Sequence, residues 1–469
     1  MRSSTAEEKN DECGVFGITA NNEAANYAYL GLHGLQHRGQ ESCGIAVSDL
    51  TKIVKAVGQG KVGDFFTEDN LRTLTGTAAI GHVRYSTTGG SNLMNAQPLV
   101  MMSNRGTLAV GLNGNLVNAK SLRDRLEFDG SIFHTTTDSE IIIHLMAHSR
   151  EKNIVMAFIE GLKQIEGAYC YMILTKGHLL AARDPHGIRP LALGRLGDSY
   201  VLASETSAFD MIGASFVRDI KAGEVISIDL ASNELRSDFP FKETSERMCL
   251  FEYVYFAKPS SNVLGKSVHS VRYKSGVRLA AESTVDADLV VPVPDSGVPA
   301  ALGFSDKSGI PFTMGLVRSH YVGRTFIEPS QAIRGLGVRL KFAPIAKLLE
   351  GKRIVLVEDS IVRGTTSMRI IKMLRSAGVK EVHFRVASPK VKFPCFYGID
   401  FGTCEELIAN KKSTEEIARS IGADSLAYLS LEGLHEAASS TGDGLCDACF
   451  TGRYVIPIED RHSKLAFEV

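Results

Sequence analysis

The sequence has no stretch suited to the lipid phase. No run approaches the roughly 18–20 consecutive apolar residues of a membrane span. The first twelve residues lack the apolar segment of a secretory signal and are too acidic for a typical transit peptide. There is no excess of one charge either: 52 Lys and Arg oppose 53 Asp and Glu, for a net charge of −1. No global field therefore draws the chain to nucleic acid or to a membrane surface, and any anionic ligand must be held by a local site. Cysteine is sparse, eight in 469 residues, too few for a disulfide scaffold, so the thiols point to chemistry or metal binding in a reducing, cytoplasmic setting. Internal repeats and low-complexity segments are absent. What remains is a globular composition, 44% hydrophobic and 22% charged, on a chain long enough for two domains or three.

The first apolar run is Asp11-Glu12-Cys13-Gly14-Val15-Phe16-Gly17-Ile18, after a charged leader with no packing pattern. A cut between Glu12 and Cys13 leaves a thiol and a free α-amine on one residue. An α-amine titrates near pH ~8, so it can take the thiol proton without a histidine. The same residues also suit an ordinary buried cysteine on a first strand, and alone they leave both readings open. A helical pattern follows over 22–36, then strands over 44–47, 53–57, 77–84 and 107–112. Asn113-Gly114-Asn115 reads as a tight turn. Helices are expected near 121–126, 138–148 and 154–165, and strands at 170–174, 179–183, 191–194 and 200–204, an α+β layout closing near Asp229.

The run 248–257 reads as an apolar, aromatic strand. Beyond it the pattern alternates: helix 271–283, strand 288–292, helix 298–304, strand 312–317, a long polar segment 319–339, helix 343–349, strand 353–358, helix 366–377, strand 382–387 and a helical tail 413–438. Such alternation predicts a doubly wound parallel sheet whose ligands bind at the carboxyl ends of the strands. The most specific stretch is Arg353-Ile354-Val355-Leu356-Val357-Glu358-Asp359-Ser360-Ile361-Val362-Arg363-Gly364-Thr365-Thr366. Its apolar strand ends in two carboxylates, then a Ser/Gly/Thr loop opens a helix, whose N–H groups and hydroxyls make a phosphate cradle. The carboxylates suit ribose hydroxyls, directly or through Mg²⁺.

This stretch resembles the binding motif of the type I phosphoribosyltransferases, which use phosphoribosyl pyrophosphate (PRPP). Val291-Pro292-Val293-Pro294-Asp295-Ser296-Gly297 is similar to their pyrophosphate loop, and Tyr321-Val322-Gly323-Arg324-Thr325-Phe326 to their mobile hood. The usual Asp-Asp pair is Glu358-Asp359 here. The resemblance implies PRPP binding by Asp295, Ser296, Arg324, Glu358, Asp359, Ser360, Arg363, Gly364, Thr365 and Thr366, with Mg²⁺ at Ser296, Glu358 and Asp359.

The first half resembles the N-terminal-nucleophile glutamine amidotransferases. Cys13-Gly14-Val15-Phe16-Gly17, Leu35-Gln36-His37-Arg38-Gly39-Gln40-Glu41, Gly81-His82-Val83-Arg84-Tyr85-Ser86-Thr87, Asn113-Gly114 and Thr137-Asp138-Ser139-Glu140 carry the likeness. It implies Cys13 as nucleophile, Asn113 and Gly114 as oxyanion hole, and glutamine binding by Arg38, Arg84 and Asp138, with Arg38 anchoring the loop around the site. Singly, Asn113-Gly114 also reads as a turn, Arg84 as a surface charge and Asp138 as a helix N-cap. Arg183-Asp184-Pro185-His186-Gly187-Ile188-Arg189-Pro190-Leu191 reads as a constrained turn between strands.

Together the halves resemble the amidophosphoribosyltransferases. That implies an N-terminal-nucleophile (αββα) sandwich followed by an α/β type I phosphoribosyltransferase domain, and conversion of glutamine, PRPP and water to 5-phosphoribosylamine, pyrophosphate and glutamate in purine synthesis. Ammonia would pass internally, with Phe326 and Ile327 as channel lining. A homotetramer inhibited by purine nucleotides is implied as well. The expected divisions are a removable leader 1–12, a glutaminase domain 13–242, a phosphoribosyltransferase domain 243–412 and a tail 413–469.

Cys249, Cys395 and the Cys446-Asp447-Ala448-Cys449 pair are four thiols in three scattered segments, able to hold zinc or an iron–sulfur cluster. The resemblance is to the cluster-containing branch, which implies a structural [4Fe–4S] centre there; Cys43, Cys170 and Cys404 fit no motif. Two other readings stand beside this one. Another amidotransferase of the same N-terminal class would lack the Glu-Asp strand tip, and a regulatory PRPP-binding protein would not couple glutaminase to PRPP.

Overall fold

The computed structural model describes residues 13–85, 88–319, 341–439, 444–458 and 467. The first half holds two antiparallel sheets. One has seven strands, in the order Ser215–Asp219, Ala192–Leu196, Ser199–Ala203, Gly14–Ile18, Ala78–Arg84, Ser42–Ser48 and Ile53–Gln59. The other has six: Leu235–Asp238, Val225–Asp229, His178–Arg183, Gly167–Leu174, Gly106–Leu116 and Leu99–Ser103. Val15, Ile80, Leu193 and Leu202 of the first sheet pack on Ala109, Met172, Leu179 and Ile226 of the second. Helices Ala24–Gly34 and Ser207–Ile212 cover the first sheet through Ala28, Leu32 and Phe209. Helices Ala119–Phe128, Ile141–His148 and Ile154–Leu162 cover the second. The central strands Gly14–Ile18, Ala78–Arg84, Ser42–Ser48 and Gly167–Leu174 are buried on both faces while the edge strands are partly exposed, and the layers run αββα.

The second half is built on a parallel sheet in the order Leu289–Pro292, Arg353–Glu358, Glu381–Val386 and Ser425–Tyr428. Val355 and Val357 face one core with helices Val268–Glu282 and Val298–Ser308. Ile354 and Leu356 face the other, with helices Thr365–Ser376 and Thr414–Ile421. Strand period two, with both faces covered, makes Arg353–Glu358 a continuous apolar run. Helices Val268–Glu282 and Val298–Ser308 touch backbone to backbone: a Cβ on Gly276 would lie 1.8 Å from the Ala300 carbonyl oxygen. Among the described residues no helix is long and apolar enough to cross a membrane.

Four local expectations are corrected. Asn113-Gly114-Asn115 is not a turn but the interior of strand Gly106–Leu116, paired with Gly167–Leu174. The 248–257 run is a two-residue strand, Met248–Cys249, followed by a π-helical turn, Glu252–Phe256; helical backbone lets its rings and Glu252 face different neighbours. The 312–317 strand shrinks to a bridge at Phe312 and a short antiparallel pair, Leu316–Arg318 with Phe342–Pro344. The tail is not all helix, because Ser425–Tyr428 is the fourth strand of the parallel sheet. A division at residue 412 therefore falls inside one sheet layer.

Candidate active site

Cys13 is buried and directly precedes the strand Gly14–Ile18, near the centre of its sheet. Its Sγ donates to the Tyr85 carbonyl at 3.4 Å. The register Gly14 to Val83 places Arg84, at the end of the neighbouring strand, beside it. Arg84 is buried, not a surface charge, and donates to the carbonyls of Thr88 at 3.1 Å and Gly90 at 3.2 Å. Asn113 and Gly114 come from the facing sheet. The Asn113 amide lies 3.4 Å from the Ser204 hydroxyl, which also accepts from the Val15 N–H at 3.0 Å, so Ser204 pins strand Gly106–Leu116 to strand Gly14–Ile18. Gly114 has φ +143°, and a Cβ there would fall 2.0 Å from the Ala168 carbonyl oxygen, so only glycine fits.

Asp138 is not a cap. Thr137 caps the short turn Asp138–Glu140, and the Asp138 carboxylate accepts the Leu116 N–H at 3.0 Å. Burial pushes the Asp138 carboxyl up to about 6, against the pull of the Leu116 and Thr137 hydrogen bonds and the Arg84 charge. Cys13, Arg84, Asn113, Gly114 and Asp138 thus lie on elements that meet at one end of the sandwich.

Arg38 departs from the ligand-binding role. Its fully buried guanidinium donates to the Cys13 carbonyl at 2.9 Å, to Glu205 at 2.6 Å and to Glu252 at 2.6 Å. With those partners it anchors the main chain of Cys13. Burial alone would raise the Glu205 carboxyl, but the charges and hydrogen bonds of His37 and Arg38 hold it well below the ordinary range. Glu205 also accepts from the Lys258 N–H at 2.9 Å and the Ser261 hydroxyl at 2.7 Å. Arg189 adds a second link, donating to the Tyr397 carbonyl at 2.6 Å and reaching Glu252 at 3.5 Å. The Arg183–Leu191 segment does join two strands, but Arg189 makes it part of the domain junction. Gly398 lies against the main chain of Gly114, and Asn115 donates to the Phe396 carbonyl at 3.1 Å.

The second site lies at the carboxyl end of Arg353–Glu358. Buried Glu358 and Asp359 end the strand. Asp359 accepts the Ser296 and Ser360 hydroxyls, each at 2.5 Å. Gly364, with φ +82°, precedes the helix Thr365–Ser376; the Thr365 hydroxyl is buried without a partner among the described residues. An open cleft lies over this loop, lined by Glu358, Ser360 to Ser367, Asp400 and the aromatic wall of Phe251, Tyr255, Phe256 and Phe401. Arg363 borders it and pairs with Glu406 at 3.1 Å. Asp295, across the short loop, pairs with Arg318 at 2.9 Å. Arg324 lies outside the described residues, as do Phe326, Ile327, residues 1–12 and most of 319–339.

The four separate cysteines converge. Cys249 and Cys446 are register partners in a parallel pair, and the Cys449 carbonyl accepts from the N–H groups of Lys392 and Phe393 at 2.9 and 3.0 Å. The Tyr397 N–H donates to Cys395 Sγ at 3.3 Å. Burial pushes the Cys446 thiol up to about 12, and burial with the three neighbouring thiols also raises Cys449 well above the ordinary thiol range. Among the described residues no three Cys, His, Asp or Glu side chains form a group that could hold a metal ion.

Glu205, Glu252, Arg189, Ser204 and the aromatic wall are the site residues that motif reading misses. Glu252 had one signal: a lone carboxylate inside the apolar run 248–257 must be paired if that run is buried.

Two families of domains match the chain: a glutamine amidotransferase domain over residues 82–211 and a phosphoribosyl transferase domain over residues 271–390. The amidophosphoribosyltransferase of Bacillus subtilis is 48% identical over 450 residues, 95% of this chain and 94% of that one. Its counterpart in Rhizobium etli is 48% identical over 464 residues, 97% and 94% of the two chains. A solved structure of the B. subtilis glutamine PRPP amidotransferase complexed with ADP and GMP matches with a TM-score of 0.92 at 46% identity, covering 97% of this chain and 100% of that one.

The Arg38 junction makes a stability prediction. Glu252→Ala leaves Arg38 and Arg189 without their shared carboxylate, and breaking a buried pair costs about 3–5 kcal/mol. Thermal or denaturant unfolding of the variant is expected to show a loss of that order; an unchanged midpoint would show that the junction bears no load.

Proposed function

Since the chain belongs to the amidophosphoribosyltransferase family, a family of glutamine-using pentosyltransferases, we propose the following roles for its residues. The Cys13 thiolate attacks the side-chain amide carbon of glutamine, and its α-amine accepts the thiol proton and later protonates the leaving ammonia. Asn113 and the Gly114 N–H stabilise the oxyanion, a contribution of a few kcal/mol per donor, roughly 3. Arg84 pairs with the substrate α-carboxylate and Asp138 with its α-ammonium. Water then hydrolyses the thioester to glutamate. In the second domain the Ser360–Thr366 loop and its helix N-terminus hold the 5-phosphate of PRPP, Glu358 and Asp359 take the ribose hydroxyls, and Asp295, Ser296 and Arg324 attend the pyrophosphate. Ammonia displaces pyrophosphate at C1, giving 5-phosphoribosylamine for purine synthesis in the cytoplasm.

The observation that carries coupling is the Arg38 bridge. It joins the Cys13 carbonyl to Glu252, within the same π-helical turn that supplies Tyr255 and Phe256 to the phosphate cleft. Ammonia made at Cys13 is released beside that wall and passes internally. The match of relatives across nearly the whole chain favours this over another N-terminal-class amidotransferase or a PRPP-binding regulator.

Three finer readings rest on the donor chemistry. Ser296, Glu358 and Asp359 suit Mg²⁺, an oxygen-seeking ion that keeps substrate oxygens in its shell; Mg²⁺ supplies charge neutralisation for the leaving pyrophosphate. Cys249, Cys395, Cys446 and Cys449 suit a [4Fe–4S] cluster, which would keep these buried thiols ionised and tie the C-terminal segment to the domain border. Removal of residues 1–12, by self-cleavage, frees the Cys13 amine. A homotetramer with purine nucleotides competing at the phosphate loop completes the proposal; the B. subtilis relative was solved with ADP and GMP.

Cys13→Ala is expected to abolish glutamine use while ammonia-dependent synthesis persists; glutamine use by that variant would refute the nucleophile. Ionised Asp138 predominates only above about 6, so kcat/KM for glutamine should fall as pH drops through that value, with no such limb in ammonia-dependent turnover. A flat profile there would remove Asp138 from glutamine binding. Anaerobic purification should yield a chain beginning at Cys13, by intact mass, with about four iron atoms per cluster; an iron-free, uncleaved active enzyme would overturn both readings.

A further inference from the structure

Strand Leu99–Ser103 pairs with Gly106–Leu116 only as far as Val110, opposite Leu99. Beyond that point the same edge of the oxyanion strand has side chains where a strand would be. The Leu112 N–H donates to Gln97 Oε1 at 2.8 Å, and the Leu112 carbonyl accepts from His82 Nε2 at 2.8 Å. Two strand periods on, the Leu116 N–H donates to Asp138. Strand period two turns Gly114, between them, to the same edge. Gln97 is itself anchored, its amide donating to the Ser139 hydroxyl at 2.8 Å beside Asp138. His82 lies two residues before Arg84 on their shared strand. One buried relay, His82–Leu112–Gln97–Ser139, therefore ties together the three elements that carry Arg84, Asn113 with Gly114, and Asp138.

The geometry points to His82 and Gln97 as positioning residues for the glutaminase reaction, holding the two peptide groups of Leu112 along one strand edge and so fixing the depth of the Asn113 and Gly114 donors. A carbonyl can only accept, so His82 carries its proton on Nε2. Burial lowers its pKa to about 4, which keeps the ring neutral. Its Nδ1 is buried with no partner among the described residues. Packing alone would be better served by an apolar side chain, since a polar atom is left unpaired there. An oxyanion hole works through donors fixed before charge develops, and small displacements of such groups are costly in rate. The relay touches neither substrate nor thiol, so it acts on turnover more than on binding.

This inference rests on the glutaminase reading of Cys13, and the experiment separates the two. In the full-length enzyme, His82→Ala and Gln97→Leu are each expected to lower glutamine-dependent kcat by about 30-fold or more, the scale of losing one oxyanion donor being ~100-fold. The KM for glutamine, ammonia-dependent synthesis and the rate of Cys13 alkylation by iodoacetamide should stay within about threefold, because none of them needs a stabilised oxyanion. His82→Gln, whose amide can donate to the Leu112 carbonyl, should recover most of kcat. The proposal is overturned if KM rises with kcat unchanged, if alkylation slows in step with glutamine hydrolysis, if ammonia-dependent synthesis falls equally, or if His82→Gln is no better than His82→Ala. If Cys13→Ala still used glutamine, the parent reading would fail; if it did not but the relay variants were normal, only this inference would.

Discussion

A single guanidinium, that of Arg38, has to be satisfied where two domains meet beside Cys13. A buried cation away from water is costly unless every donor finds an acceptor. Here the acceptors are the Cys13 carbonyl, Glu205 and Glu252. Each partner lies on a different piece of the chain: the head of the central strand, the segment before helix Ser207–Ile212, and the π-helical turn of the second domain. None can shift alone without leaving a charge unpaired. The junction therefore fixes the main chain of Cys13 in the same act that fixes the aromatic wall of the cleft over residues 360–367.

Electrostatics is used differently at the two sites. Around Cys13 the buried Arg38 is neutralised by Glu205 and Glu252, and strands Gly14–Ile18 and Gly106–Leu116 are held by neutral contacts from Ser204, Gln97 and His82. At the phosphate loop the carboxylates sit at a strand end and the loop's amides at a helix start, so opposite poles face one cleft. A neutral amide substrate and a highly charged phosphate ester call for these different surroundings.

Much of this was legible in the sequence. The buried strand Arg353–Glu358, its terminal carboxylates and the helix after Gly364 follow from an unbroken apolar run ending in polar loop chemistry. The elements bearing Cys13, Arg84 and Asp138 follow from short motifs. Asn113-Gly114 misled because its turn-like composition serves a different need: a glycine that Ala168 can approach closely inside a strand. Tail strand Ser425–Tyr428 was hidden because its value as a strand comes from an open edge on Glu381–Val386, a tertiary fact. The anchoring role of Arg38 was legible, but its partners Glu205 and Glu252 were not, because they are far away in sequence and meet only in the folded chain.

The pairing of Cys446 with Cys249 gives the chain a built-in order of assembly. On a ribosome the glutaminase strands emerge first, and domains fold as units while synthesis continues. The last strand of the parallel sheet and the partner of Met248–Cys249 emerge after the other strands of the two halves. A truncated product would thus carry the ammonia-generating half with an unstitched border to the half that consumes it. With the closing stitch in strand Leu445–Cys446, the seam between the two halves cannot be completed until that late strand has been made.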